Sequence, residues 1–465
     1  MTTEIDSLVA ACRQRLAAVP DDPDAWFDLG YWLRRKRDYA GALDAYARAL
    51  TAGVERPEEA HVNRAAILLD QLGKPDESRA ALEAALALRP DFMPALINLG
   101  QLHEDLGDFD EARAVYQRIL SVEPTNGRAH ARIARLDAFQ RGDAEATAEA
   151  LVEALVKVQP RSDDAAELCM ALGQALESAG RYDESFDAYQ RANALARALT
   201  PAEFLYAPKA VEALVDASMA AFREAKTTAP GPASRPAPIF VCGLLRSGST
   251  LTERILARHP RVSAGGELEF VPAAASRPGY PASALALGPD AVAALRAQYY
   301  DEARSVVGDF DVIVDKRPEN FLHLGLIKTL FPDARIVNTV RDAGDVTLSI
   351  FANLFGPAAA FANTVPDIAH WRRQHDRLMA HWRELWPNDI LTLDYDDLVA
   401  APETVVRRLL DHCGLDWDPS CVTPPSGRNF VRTLSQWQVR EPIHTRSSGR
   451  AKPYLALLTA AGAFR

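Results

Sequence analysis

Small and large apolar positions return at a steady interval over the first two hundred residues. Gly30, Ala66, Gly100, Ala134 and Gly173 align at spacings of 36, 34, 34 and 39. Twelve residues after four of them stand Ala42, Ser78, Ala112 and Ser185, and four further on Tyr46, Leu82, Tyr116 and Tyr189. Trp26 with Leu29, and Leu96 with Leu99, precede them, while Pro90, Pro124 and Pro160 close units. A period of about 34 residues predicts pairs of antiparallel helices stacked into a solenoid. Small residues are needed where paired helices cross closely, and large ones fill the groove between units. The segment 128–157 fits this pattern least well. A helical stretch over 201–225 follows, and the run KTTAPGPASRPAPI then reads as a linker.

Beyond the linker the pattern changes. PIFVCG, DVIVDK, ARIVNTVRD and DILTLDYDDL are short apolar, β-branched runs. Helix-like segments separate them at 249–259, 319–330, 343–355, 367–385 and 402–413. Short apolar strands alternating with helices predict a parallel sheet in an α/β domain. The chain is thus expected to divide into a helical repeat array over 1–200, a connecting helix and Pro/Ala-rich linker over 201–238, and an α/β domain over 239–465.

The 465 residues are 48% hydrophobic and 25% charged, an ordinary globular balance. Five scattered cysteines without CxxC spacing argue for a reducing compartment and against structural disulfides or zinc. The first residues carry acids and no apolar core of signal-peptide length, and no run reaches the roughly 18 apolar residues of a membrane helix. A soluble cytoplasmic protein without a membrane partner is expected. From Ile239 onward bases and acids balance, so the net charge of −11 falls on residues 1–238. The last segment is basic, with Arg428, Arg432, Arg440, Arg446, Arg450, Lys452 and Arg465 against Glu441. That segment reads either as a solvated tail or as part of an anion site. An acidic protein with one local basic stretch is a poor nucleic-acid binder.

The chemistry concentrates after the first strand. Gly243-Leu-Leu-Arg-Ser-Gly-Ser-Thr250 opens a helix, a geometry in which backbone N–H groups and the helix N-terminus face an anion. Against the triphosphate loop GxxxxGK[ST], Gly243, Gly248 and Thr250 fit, but Ser249 stands where the lysine belongs. The basic residue is instead Arg246, inside the loop. A kinase or ATPase is therefore disfavoured. A strand-turn-helix that needs small residues for packing alone is the plainer alternative. His370, His375 and His381 lie at i+5 and i+6, off one helical face, so no metal site is expected. His323 reads as a helix-surface or core residue.

PIFVCGLLRSGSTLTERIL resembles the 5′-phosphosulfate loop of sulfotransferases that use 3′-phosphoadenosine 5′-phosphosulfate (PAPS). The likeness is closest to the tyrosylprotein sulfotransferases and to bacterial proteins that pair such a domain with tetratricopeptide (TPR) repeats, whose pattern the first half resembles. The resemblance implies an α-helical TPR solenoid followed by an α/β P-loop-like sulfotransferase domain with a central parallel sheet. It implies a sulfotransferase that moves a sulfuryl group from PAPS to a hydroxyl, a protein tyrosine among the candidates, and leaves PAP (adenosine 3′,5′-bisphosphate). By this likeness Arg246, Ser247, Gly248, Ser249 and Thr250 hold the phosphosulfate. In RVSAGGELEF, Glu267 matches a general base, with Glu269 its local competitor. In VDKRPENFLHLGLI, Lys316 matches the catalytic lysine, which Arg246 assists; Asp315 and Glu319 are its alternative, structural partners. In VRDAGDVTLSIF, Arg341 and Ser349 match the pair on the 3′-phosphate. Tyr395 in LDYDDLVAAPE, and Ser435, Gln438, Val439 and Arg450 in SQWQVREPIHTRSSGR, match further cofactor contacts.

Two positions depart from the pattern. Asn353 stands where the tyrosylprotein enzymes carry an arginine, and Ala451 follows Arg450 where an aromatic residue is usual. In-line transfer needs fixed cations for the charge that builds on the sulfuryl and bridging oxygens. Arg246, Lys316 and the loop N–H groups are the candidates, and no metal is required if Lys316 neutralises the leaving oxygen. The repeats imply a peptide or protein partner, or else support for the second domain or a dimer. The competing expectation is a TPR adaptor with a degenerate nucleotide-binding domain.

Overall fold

The computed structural model describes residues 2–223, 237–423 and 444–464. Ser435, Gln438 and Val439, with the linker 224–236, lie outside the described residues. One compact unit runs to Asp143 and a second begins at Ala144.

The first unit is wholly helical: Thr2–Ala18, Pro23–Arg35, Tyr39–Ala52, Pro57–Asp70, Pro75–Leu88, Met93–Leu106, Phe109–Val122 and Gly127–Arg141. Proline at the first helical position starts three of the repeat helices without losing a needed donor. Asp22, Asp38 and Asn126 cap theirs by accepting from Ala25, Gly41 and Ala129 N–H. The small-then-large rhythm has a direct cause. A Cβ at Gly30 would lie 2.9 Å from the Tyr46 ring, and one at Gly100 only 2.6 Å from Tyr116. Each tyrosine therefore lies flat on the bare backbone of the paired helix. Ser78 uses the same close approach to donate to the Ala65 carbonyl at 2.9 Å.

The second unit opens with three helices, Ala144–Lys157, Asp163–Ser178 and Tyr182–Leu199. The segment with the weakest repeat pattern is thus helical on both sides of Gly142, whose φ of 68° ends the helix Gly127–Arg141. The stretch predicted as one helix over 201–225 is a short turn, Ala202–Phe204, and a new helix, Pro208–Ala221. Pro208 lacks the N–H that continuation would need.

Five parallel strands follow: β1 (Ile239–Gly243), β2 (Val262–Ala264), β3 (Val312–Lys316), β4 (Arg335–Val340) and β5 (Ile390–Asp394), in the order β2-β3-β1-β4-β5. β1 and β3 are buried at every residue, as a sheet covered on both faces requires. Alternate residues feed two cores. Phe240, Cys242, Ile313 and Ile336 pack with Phe331 and Trp382, while Val241, Val314 and Val337 pack with Ile255, Leu256 and Leu409. The first core also takes in Met170, Phe186 and Tyr189 from the repeat helices. Those helices are bonded to the α/β part as well. Asn193 Nδ2 donates to the Phe351 carbonyl at 2.7 Å, Gln174 Nε2 to that of Ala352 at 3.2 Å, and the Phe186 and Phe351 rings meet at 5.6 Å. No helix among the described residues is long and apolar enough to cross a membrane.

Candidate functional site

β1 lies at the centre, with β3 on one side and β4 on the other, so the chain departs from it in both directions. In open α/β sheets such a switch point leaves a crevice at the carboxyl ends of the strands. The candidate residues gather at those ends. β1 runs into the loop of Arg246, β2 towards Glu267, β3 ends on Lys316, β4 precedes Arg341, and β5 precedes Tyr395.

The loop after β1 is shaped by two close approaches. Gly243 has φ 144°, and a Cβ there would sit 2.4 Å from the Thr339 carbonyl. Gly248 has φ 104°, and its Cβ would sit 2.9 Å from Tyr395 Cδ2. Between them Arg246 adopts φ 67°, a strained value for a residue with a side chain. Ser247 is spent on the loop itself: its hydroxyl donates to the Leu244 carbonyl at 2.7 Å and lies 2.7 Å from Thr339 Oγ1. The Ser247 N–H is turned onto the same Leu244 carbonyl at 3.2 Å, so what this part of the loop can offer an anion is the Gly248 N–H. Ser249 is buried and Thr250 half-buried at the start of the helix Ser249–Ala257.

Three guanidinium groups collect beside the loop. Arg246 Nε donates to Ser349 Oγ at 3.1 Å, and Arg341 Nη1 to the Arg246 carbonyl at 3.4 Å. Arg341, only 6% exposed, also donates to the Ser447 carbonyl, lies 4.8 Å above the Tyr395 ring and sits 3.6 Å from Asp345. Burial, then the charges of Arg341 and Arg450, pull the Arg246 guanidinium down to about 10. Like charges held this close are a built-in demand for an anion. Ser349 and Arg341 are thus both contiguous with the Arg246 loop. Asn353, in place of an arginine, merely donates back to the Ser349 carbonyl at 2.8 Å.

Arg450 belongs to the same cluster but is held from the repeat side. Its Nε and Nη2 donate to the two oxygens of Glu177 at 2.5 and 2.7 Å. Its neighbours Gly449 and Ala451 donate their N–H groups to the buried Asp345 at 2.6 and 2.7 Å.

The other side of the crevice is rich in carboxylates. Lys316, 4% exposed, donates to Glu267 Oε1, and Glu267 itself is half exposed. Arg317 pins the segment that carries Glu267. It donates to the carbonyls of Glu267 and Leu268, each at 3.1 Å, and to Glu269 at 2.5 Å. The two glutamates thus part company, Glu267 to Lys316 and Glu269 to Arg317. Glu253, nearly buried one turn into the phosphate-loop helix, accepts from Gly266 N–H at 3.0 Å and so joins the two sides of the crevice. Burial raises Glu253, with Lys316 opposing, and burial raises Glu319 too, with the Glu267 charge adding. Asp315 is fully buried, pushed well up by burial, and takes Asn320 Nδ2 at 3.2 Å. Lys316 is paired with neither Asp315 nor Glu319 but with the candidate base.

Sequence reasoning passed over Glu253, Arg317, Asp345 and Glu177. Arg317 had a signal, since it adjoins Lys316 in the same motif. Glu253 and Asp345 read as ordinary helix acids, and Glu177 lies 273 residues from its partner. Among the histidines, His323 Nδ1 meets Tyr280 OH at 2.9 Å, and burial pulls it down to about 4. His370 bonds to Tyr206 and Glu212, and His375 to Asn338 and Asp376, so they serve separate contacts. Among the described residues no three metal-ligating side chains converge.

Residues 238–419 match the model of the sulfotransferase family, and residues 7–57, 63–129 and 136–198 match a tetratricopeptide repeat model. An uncharacterized protein of Aquifex aeolicus is 28% identical over 464 residues, which are 95% of this chain and 59% of the relative. A protein of Caenorhabditis briggsae named as a putative protein-tyrosine sulfotransferase is 25% identical over 190 residues, 38% of this chain and 66% of its own. The solved sulfotransferase domain of the Synechococcus PCC 7002 olefin synthase is 21% identical, with a TM-score of 0.36, covering 48% of this chain and 90% of its own.

Proposed function

We propose, from the premise that this chain carries a sulfotransferase-family domain behind tetratricopeptide repeats, that it transfers a sulfuryl group from PAPS to a hydroxyl and releases PAP. The single observation that supports this most is the convergence at the sheet's carboxyl edge. A three-guanidinium cluster beside a phosphate loop faces a lysine–carboxylate pair across one short helix.

In this reading the donor's sulfated end lies on the loop N–H groups and Arg246, and its 3′-phosphate on Arg341 and Ser349. Tyr395, which lies under Arg341, completes that side. As the acceptor oxygen bonds to sulfur, its proton passes to Glu267. The bond between sulfur and the bridging oxygen breaks, and the charge that builds on that oxygen and on the sulfuryl oxygens is held by Lys316, Arg246 and the loop. Lys316 serves twice, because its contact also fixes the position of the Glu267 carboxylate. A tyrosine hydroxyl is the first acceptor to test, given the family likeness, with the repeats presenting the peptide or protein that bears it. The competing reading, a repeat adaptor with a degenerate nucleotide domain, rests on Asn353 being turned back onto its own helix.

Incubation with sulfur-labelled PAPS and panels of tyrosine peptides, saccharides and small phenols decides between them. Label transfer with stoichiometric PAP release supports the enzyme. Failure to bind PAPS at micromolar concentrations, with no transfer to any acceptor, defeats it.

A further inference from the structure

The grip of the repeat helices on Arg450 goes beyond what the domain alone requires. Glu177 lies in the last turn of the helix Asp163–Ser178 and is 16% exposed. Its carboxylate takes Nε and Nη2 of Arg450 in a two-pronged bond and the Tyr189 hydroxyl at 2.7 Å, with Tyr454 close by. Tyr454 is fixed in turn by Ser185, 2.8 Å away, and by the Tyr182 ring at 5.3 Å; Ser185 donates to the Gly173 carbonyl. A carboxylate with this many donors has one orientation, and so has the guanidinium that faces it. From the other side Asp345 binds the backbone on both flanks of Arg450 and stands beside Arg341. Arg450 is thereby set next to Arg341 and Arg246 although all three repel one another.

Resting on the PAPS reading above, we propose that Glu177 is a positioning residue for the donor site. The last repeat holds Arg450 against the 3′-phosphate end of the nucleotide, so that this repeat is part of the donor pocket. Without the carboxylate, Arg450 regains its rotamers and is driven away from the two arginines beside it. The 5′ end, held by the loop, does not depend on this bond.

The test is calorimetric titration of the full chain and its variants with PAP and with adenosine 5′-monophosphate, which lacks the 3′-phosphate. Glu177→Gln is expected to weaken PAP about tenfold, the loss typical of a charge-assisted contact, and to leave the monophosphate within about twofold. Glu177→Gln combined with Arg450→Ala is expected to bind PAP no more weakly than Arg450→Ala alone. Unchanged PAP affinity in Glu177→Gln overturns the proposal. So do equal losses for both nucleotides, the mark of a merely structural role, and so do penalties that add in the double variant. A wild-type protein that ignores PAP would defeat the donor reading itself, an outcome distinct from a wild type that binds and a variant that binds equally well.

Discussion

The two sides of the crevice are made of opposite materials. Around the loop after β1 the charged groups are guanidiniums, rigid and cationic throughout the physiological range, crowded until burial and mutual repulsion depress Arg246. Around the end of β3 they are carboxylates held by Lys316 and Arg317, with burial raising Glu253 and Glu319. The first arrangement holds an anion without moving a proton. The second offers carboxylates that could take a proton, without the geometry to hold an extended anion. In the proposed reading the difference gives donor binding to one side and proton transfer to the other, with the helix Ser249–Ala257 as the strut between them.

The largest effect that sharpens the contrast should come from Lys316→Ala. With the charge on the leaving oxygen unanswered, kcat is expected to fall by about 10²–10³-fold, while PAP affinity stays within a few-fold. Next comes Arg341→Ala, which is expected to raise the Kd for PAP by roughly ten- to hundredfold. Gly248→Ala should act on the scaffold of the binding side, since φ 104° and the Tyr395 ring at 2.9 Å leave no room for a methyl group. A loss of about 1–3 kcal/mol in denaturant unfolding is expected, with weaker PAP binding.

The smallest effect is on pH. His323, on the carboxylate side, has a folded value of about 4 against 6.5 for the free group. A depressed base contributes stability that is complete above 6.5 and lost as pH falls through about 4. Thermal stability should therefore decline between these values, and His323→Gln should flatten that decline.

Much of this division could be read from the chain because its parts are local. The loop 243–250 announces itself by glycines and serines after an apolar run, and the structure shows why, in the contacts with Thr339 and Tyr395. The Gly–Tyr rhythm of the repeats likewise reports a close crossing of two neighbouring helices. β2 escaped notice because three residues make no period, and the helix Pro289–Val307 because it buries few residues, Leu295, Tyr299 and Ala303 among them. Glu177 and Arg450 form a contact that only the tertiary fold brings together, and neither residue type hints at the other. Glu253 looks like a solvent-facing helix acid until the turn at Gly266 is seen to bond to it.

The most direct measurement is single-turnover sulfuryl transfer at saturating PAPS, made in parallel on Glu267→Ala and Arg341→Ala. If binding and chemistry are separated as described, Arg341→Ala, once saturated, transfers at close to the wild-type rate, whereas Glu267→Ala binds normally and transfers about 10²–10⁴-fold more slowly. Equal losses in the two variants, or a full rate in Glu267→Ala, would contradict the division of labour between the two sides.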